Sequence, residues 1–173
     1  ISHTKNIFNL YKKIKLDYIF HLGEYSRVEQ SFDDIDLVYK FNVSPFHEII
    51  KLTKHHNAKL IYCGSSTKFA KYDKSTHLSP YAWSKYAGEQ LCKLYNEVYD
   101  LPTSICRFYN VYGPHQLEEG TYATVIGIFE KQYRENKPLT VTGDGEQRRD
   151  FTHIDDIVDG IVRCGFNLLG DNP

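Results

Sequence analysis

Three short apolar runs, each closed by small or polar residues, constrain this chain most. They are Asp17–Leu22 before Gly23, Lys59–Cys63 before Gly64, and Thr103–Phe108 before Tyr109-Asn110. Each has the length and β-rich composition of a buried strand, and helical periodicity fills the spaces between them. Ile7, Leu10, Tyr11 and Ile14 predict a helix within Ile1–Lys15, and a longer pattern covers Asp33–His56. Pro45 is expected to bend or break that second helix near Ser44. Further helices are predicted over Pro80–Tyr99, over Thr121–Asn136, and from a cap at Asp155 or Asp156 to about Leu168. Ser66–Leu78 reads as polar loop. Leu139–Thr142 reads as a short strand closed by a hairpin-type turn at Gly143-Asp144-Gly145, and Asp150–Ile154 reads as extended.

Strands that alternate with helices specify an α/β chain with a doubly wound parallel sheet. In such sheets ligands gather beyond the carboxyl ends of the strands. Those ends fall at Leu22, Cys63 and Phe108, so Gly23-Glu24, Gly64-Ser65-Ser66 and Tyr109-Asn110 are expected to converge on one crevice. There is no G-x-G-x-x-G. Gly143-x-Gly145 carries Arg148 where the third glycine would stand, and its composition is that of a turn.

Composition narrows the class further. With 173 residues, 41% apolar and 25% charged, the chain can bury a core, and disorder is excluded. A net charge of −1 advertises no nucleic-acid partner, and no apolar run is long enough to span a membrane. The N-terminus lacks a signal pattern. Cys63, Cys92, Cys106 and Cys164 stand far apart and read as buried thiols of a reducing, cytoplasmic protein. His3, His47, His55, His56, His77 and His115 show no metal-ligand spacing, so no metal is assigned. His21, at the end of a strand, reads as a satisfied core residue.

Tyr81 and Lys85 stand four apart at the start of a predicted helix, one turn apart on one face. An ammonium beside a phenol favours the phenolate, so the pair can make a general base of a tyrosine. The spacing itself carries little weight, because Tyr11/Lys15 and Tyr133/Lys137 share it and read as solvated helix faces. Only Tyr81/Lys85 follows a strand that ends in Gly64-Ser65-Ser66-Thr67, whose hydroxyls can meet the tyrosine over a crevice.

Gly64-Ser65-Ser66 followed by Ser79-Pro80-Tyr81-Ala82-Trp83-Ser84-Lys85 resembles the extended short-chain dehydrogenase/reductase superfamily. More narrowly it resembles the NAD-dependent epimerase/dehydratase family, near the UDP-glucose 4-epimerases. Other blocks match in order: His21-Leu22-Gly23, Asn42-Val43, Arg107-Phe108-Tyr109-Asn110-Val111-Tyr112-Gly113-Pro114, and Gly143 to Asp156 through Arg149-Asp150-Phe151. The resemblance runs from about His21 to Asp159. It implies a Rossmann-like sheet, with Ser65, Tyr81 and Lys85 as the catalytic set. Leu22, Gly23, Asn42, Cys63 and Phe108 would contact NAD together with Tyr81 and Lys85, and NADP is left open. Asn110, Thr124, Val125 and Arg149 would bind a nucleotide-diphosphate sugar together with Ser65. By the same resemblance, residues 1–120 would be part of the NAD-binding domain. Residues 121–149 would begin a substrate-binding region, and residues 150–173 would return to the first domain. The full-length enzyme would be a homodimer.

The expected reaction is epimerisation of a sugar hydroxyl, most often at carbon 4, through transient oxidation with bound NAD. The alternatives are a dehydratase or reductase of the same superfamily, or a dinucleotide sensor without turnover. Dehydration is disfavoured because Ser66 and Thr67 stand where related dehydratases carry an Asp-Glu pair. Two departures from the family pattern stand out. Glu24 replaces a small residue beside the expected cofactor diphosphate, and is expected to point to ribose hydroxyls or solvent. Phe69-Ala70 replaces an aromatic-glycine pair in a shortened segment. The chain has no methionine, no Gly-rich first turn and no C-terminal substrate segment. It is therefore expected to be an internal fragment of an enzyme about twice as long, and to be inactive alone.

Overall fold

A computed structural model describes residues 7–69 and 79–166. They fall into two compact units. One holds the residues up to Phe108 and those from Ile161 onward, and the other is Tyr109–Gly160.

The first unit is built on a parallel sheet of β1 (Tyr18–His21), β2 (Lys59–Ser65) and β3 (Thr103–Phe108), in the order β1-β2-β3. The register pairs His21 with Tyr62 and Ser65 with Phe108, so all three strands deliver their carboxyl ends to one edge. β2 is central, and Leu60, Ile61 and Tyr62 are fully buried, as the strand of a parallel sheet covered on both faces should be. Leu60 and Tyr62 join Phe46 and Ile50 of α3 (Ser44–His56) and Cys92 of α4 (Pro80–Tyr99) in the core. Each fully buried aliphatic side chain there contributes about 1.5–3 kcal/mol. Ile61 faces the other way, toward Gly165 near the end of α6 (Ile154–Gly165). α6 runs from the second unit into the first.

The predicted Asp33–His56 helix is neither broken nor uniform. It comprises α2 (Ile35–Val38), a π-helical turn (Tyr39–Val43) and then α3. Pro45, expected to interrupt it, is the second residue of α3. A proline there has no amide to offer the carbonyl four residues back. The chain absorbs this by widening one turn, and the Ser44 amide bonds to the Tyr39 carbonyl, five residues back. α1 is shorter than expected: it covers Ile7–Tyr11, and residues 1–6 lie outside the described part. His56 reaches the carbonyl of Tyr11 and His55 that of Lys12, both at 3.1 Å, satisfying acceptors at the helix end. This gives the two neighbouring histidines a structural role that the sequence did not reveal.

The second unit contains β4 (Asn110–Tyr112), paired in parallel with β5 (Phe151–His153), and α5 (Val125–Arg134). β4 was not anticipated: it follows β3 after one residue, and the sequence read that stretch as a strand end. The expected strand at Leu139–Thr142 does not form. Its apolar alternation has no partner, Val141 stays 64% exposed, and Thr140 bonds instead to the Gln132 side chain. The turn at Gly143 and Gly145 does form, with φ of +65° and +80°. Ser66–Phe69 is a 3-10 turn, and the rest of the predicted Ser66–Leu78 loop lies outside the described residues. Of the four cysteines only Cys92 is fully buried, and all four are free thiols. Among the described residues no helix is long and apolar enough to cross a membrane.

Candidate active site

The site starts with how α4 begins. Ser79 is extended, and its Oγ accepts from the Ala82 amide at 3.0 Å, capping the helix. Pro80 takes the first helical position, where no amide donor is missed. From that start Tyr81, Ser84, Lys85, Gly88, Glu89 and Cys92 fall on the buried face. Gly88 is required there, since a Cβ would stand 2.1 Å from the Tyr62 hydroxyl oxygen. The helix thus lies close against the end of β2, and Lys85 comes in beside Cys63.

Ser65, the last residue of β2, is 6% exposed. Its Oγ accepts from the Tyr81 hydroxyl at 3.4 Å and from the Thr67 hydroxyl at 3.0 Å, with the Thr67 amide at 3.2 Å. Lys85 is buried. Its Nζ donates to the Cys63 carbonyl and to Glu24, and lies 5.1 Å from the centre of the Tyr62 ring. Ser65, Tyr81 and Lys85, predicted as one set, are therefore brought together at the carboxyl edge of the sheet.

Glu24 corrects the sequence reading. Its carboxylate does not point to solvent: the side chain is 3% exposed and turned inward. One oxygen pairs with Lys85 and accepts from the Tyr62 hydroxyl at 3.4 Å, and the other lies 3.0 Å from His21 Nε2. A buried ammonium and a buried carboxylate each need a counter-charge, and here each supplies the other's. Burial pulls the Lys85 amine down, but Glu24, Cys63 and Tyr81 beside it more than reverse this, and it titrates above the usual lysine range. Burial, reinforced by Glu24, pushes the Tyr62 phenol far up, so it stays a neutral donor. The Cys63 thiol is also raised, chiefly by burial. His21 is buried and stacked on Phe46 at 5.3 Å and on Tyr62 at 6.0 Å.

Asn42 lies in the π-helical turn and is 2% exposed. Its Oδ1 accepts from the Tyr25 amide at 2.7 Å, and its Nδ2 donates to the Tyr25 carbonyl at 3.0 Å and to Ser84 Oγ at 2.9 Å. Ser84 in turn donates to the Tyr81 carbonyl at 2.7 Å. Asn42 therefore braces the first turn of α4. Leu22 and Gly23 are exposed after β1, and Phe108 is half-buried at the end of β3. Glu89 grips Arg107 of β3 with two hydrogen bonds, at 2.9 and 2.7 Å, beside Gly64. Sequence reasoning missed Glu24, Tyr62 and Ser84 as site residues. Only the notice of an acidic residue in a small-residue position pointed to the first.

The remaining candidates lie in the second unit. Asn110 opens β4, and its side chain donates to the Asp150 carbonyl at 3.0 Å. Thr124 is the N-cap residue of α5 and Val125 its first residue. Arg149 is exposed and bonds to the Arg148 carbonyl at 2.8 Å and to Gln147 at 3.3 Å.

A tyrosine, a serine and a buried lysine at the carboxyl edge of a parallel sheet form the arrangement that the NAD-dependent epimerase/dehydratase pattern implies, and a match to that family covers residues 1–166. The chain belongs to the NAD-dependent epimerase/dehydratase family. A UDP-glucuronate 4-epimerase of Thermodesulfobacterium geofontis is 34% identical, over 100% of this chain and 58% of that protein. A UDP-glucuronic acid 4-epimerase from Bacillus cereus, solved with UDP-glucuronic acid and NAD, superimposes with a TM-score of 0.75. It is 31% identical over 95% of this chain and 52% of that one. A dTDP-D-glucose 4,6-dehydratase of Dictyostelium discoideum is 29% identical, over 95% of this chain and 42% of that protein. The chain spans about half the length of the curated relatives it matches. Solved relatives share the Rossmann-like parallel-sheet fold.

Proposed function

We propose that the whole protein carrying this chain is a nucleotide-sugar 4-epimerase, acting on a UDP-sugar with bound NAD. The observation that carries the reading is the Tyr81 hydroxyl on Ser65 Oγ, 3.4 Å away, with the Lys85 ammonium buried beside them. The dinucleotide is proposed to lie at the carboxyl edge of the sheet. Leu22 and Gly23 leave an exposed surface after β1, and the nearby Glu24 carboxylate is turned away toward Lys85, so it presents no charge against phosphate.

In this reading Tyr81 takes the proton of the sugar 4-hydroxyl, and Ser65 hydrogen-bonds the same oxygen. Lys85 favours the phenolate by its charge. NAD, when bound, would be held by Leu22, Gly23, Cys63, Phe108 and Lys85 and would supply a reversible hydride acceptor for either face of carbon 4. Tyr81 then gives its proton back, and the net reaction is an inversion. Asn110, Thr124, Val125 and Arg149 are the proposed contacts to the nucleotide sugar. Thr67 supports epimerisation over dehydration. It is turned onto Ser65, and neither it nor Ser66 carries the carboxyl group that loss of water needs.

The test is mass spectrometry and NMR of the products from a panel of UDP-, dTDP- and GDP-sugars incubated with the whole protein. The expected product is the C4 epimer of a UDP-sugar, at unchanged mass. A product lighter than its substrate by one water would make the protein a dehydratase. Retained NAD with no product from any sugar would make it a sensor.

A further inference from the structure

Burying one charge is costly, and burying two demands that they be paired and hydrogen-bonded. Glu24 and Lys85 meet that demand beside the proposed acid/base tyrosine. The side chains are 3% and 6% exposed, and their contact joins the loop after β1 to α4, 61 residues apart in the chain. Neither end of the pair is loose. Glu24 is fixed by His21 at 3.0 Å and by the Tyr62 hydroxyl at 3.4 Å. Lys85 is fixed by the Cys63 carbonyl and lies near the face of the Tyr62 ring. Tyr62 is itself locked against Gly88, where a methyl group would not fit. Four elements thus converge to hold one ammonium.

Resting on the epimerase reading, we propose that Glu24 is a positioning residue for the reaction. Its carboxylate anchors the Lys85 ammonium and so keeps a charged lysine beside Tyr81 throughout turnover.

The physical case is one of competing effects at a single amine. Burial removes the water that would stabilise the ammonium and drives the amine toward its neutral form. The groups that face it are Glu24 after β1, the Cys63 thiol of β2 and Tyr81 of α4. Of these, only Glu24 is a carboxylate. Around Glu24 stand His21 of β1 and Tyr62 of β2, and both Tyr62 and, on α4, Cys92 feel the charges of Glu24 and Glu89. Glu89 is committed to Arg107, so it does not replace Glu24 as the counter-charge to Lys85. Without the carboxylate, burial would be opposed only by the Cys63 carbonyl and thiol and by the Tyr81 hydroxyl. Lys85 would then lose its proton at lower pH, and the phenolate of Tyr81 would lose the charge that favours it.

The experiment follows Lys85 itself, in the whole protein, by NMR of lysine labelled at Cε. The Lys85 signal is assigned by its absence in Lys85→Arg. In the wild type the amine is expected to titrate above the free-lysine value of about 10.4. In Glu24→Gln, which keeps the shape and a hydrogen-bond acceptor, the midpoint should fall below the free-lysine value, because burial then outweighs the remaining neighbours. The alkaline limb of turnover should fall with it, and Glu24→Asp should restore part of both shifts. A Lys85 midpoint unmoved by Glu24→Gln would overturn the proposal. So would a midpoint that moves while the turnover profile does not, because Glu24 would then charge the lysine without serving the reaction. If Glu24→Gln does not fold, the wild-type titration decides: a midpoint below that of free lysine contradicts the anchor. The amine titration needs no sugar substrate. Failure of the epimerase reading would appear as absent turnover with the titration shift intact, and so remains separate from failure of this one.

Discussion

Ser65 Oγ is the meeting point of the site. It lies within hydrogen-bonding reach of the Tyr81 hydroxyl, the Thr67 hydroxyl and the Thr67 amide. Two residues hold this serine through three hydrogen bonds, so the oxygen that would share the substrate hydroxyl with Tyr81 is positioned before any sugar binds. Tyr81 is the group on which the chemistry turns. Tyr81→Phe keeps the ring, its packing against Tyr25 and Val38, and the backbone carbonyl that Ser84 bonds. It removes only the hydroxyl. Turnover of the whole protein should therefore fall by roughly two to four orders of magnitude, the usual worth of a positioned acid/base. Thermal stability and retention of bound NAD should change little. Steady-state kinetics alongside a count of cofactor per chain checks this. A variant that keeps more than about a tenth of the turnover would exclude Tyr81 as the base.

At the scale of elements, α4 converts sequence spacing into a site, and it does so by lying close to β2. Gly88 permits the approach. In Gly88→Ala the new methyl meets the Tyr62 hydroxyl oxygen at 2.1 Å and the ring carbon that bears it at 2.5 Å, and that ring is fully buried among Phe46, Leu60 and Cys92. Alanine raises helix propensity by about 1 kcal/mol, but overpacking costs typically 1–3 kcal/mol. A net loss is expected, together with displacement of Lys85 from Glu24. Chemical denaturation reads the first effect and the Lys85 titration reads the second. A stabilised variant with unchanged titration would contradict the close packing of α4. The same elements show what the sequence made legible. β1, β2, β3, α4 and the meeting of Ser65, Tyr81 and Lys85 followed from local pattern: apolar runs, helical periodicity from Pro80, a serine at a strand end, and two residues one turn apart. Features set by long-range contact did not follow from pattern. The π-helical turn depends on how the chain accommodates Pro45. β4 needs β5, 41 residues on by register, to exist as a strand. Leu139–Thr142 has strand-like residues but no strand to pair with. Glu24 reads as an acid directed to ribose hydroxyls or solvent until the fold places Lys85 against it.

At the scale of the whole molecule, the residues named in the proposal are divided between the two units. Ser65, Tyr81, Lys85 and Glu24 belong to the first unit, and the proposed nucleotide-sugar contacts Asn110, Thr124, Val125 and Arg149 to the second. Family membership explains why both sets stand in one chain, since the match runs through residues 1–166. The most direct test follows the hydrogen on carbon 4. A UDP-sugar bearing deuterium at that carbon is incubated with the whole protein and NAD, and the epimer is recovered for mass spectrometry and NMR. Transient oxidation at the Tyr81 site predicts that the deuterium leaves the carbon and returns to it on the opposite face, without exchange with water. The epimer should therefore keep its label at C4 and its full mass. An epimer whose C4 deuterium has been replaced by solvent hydrogen would contradict this mechanism, as would a labelled product that has lost a molecule of water.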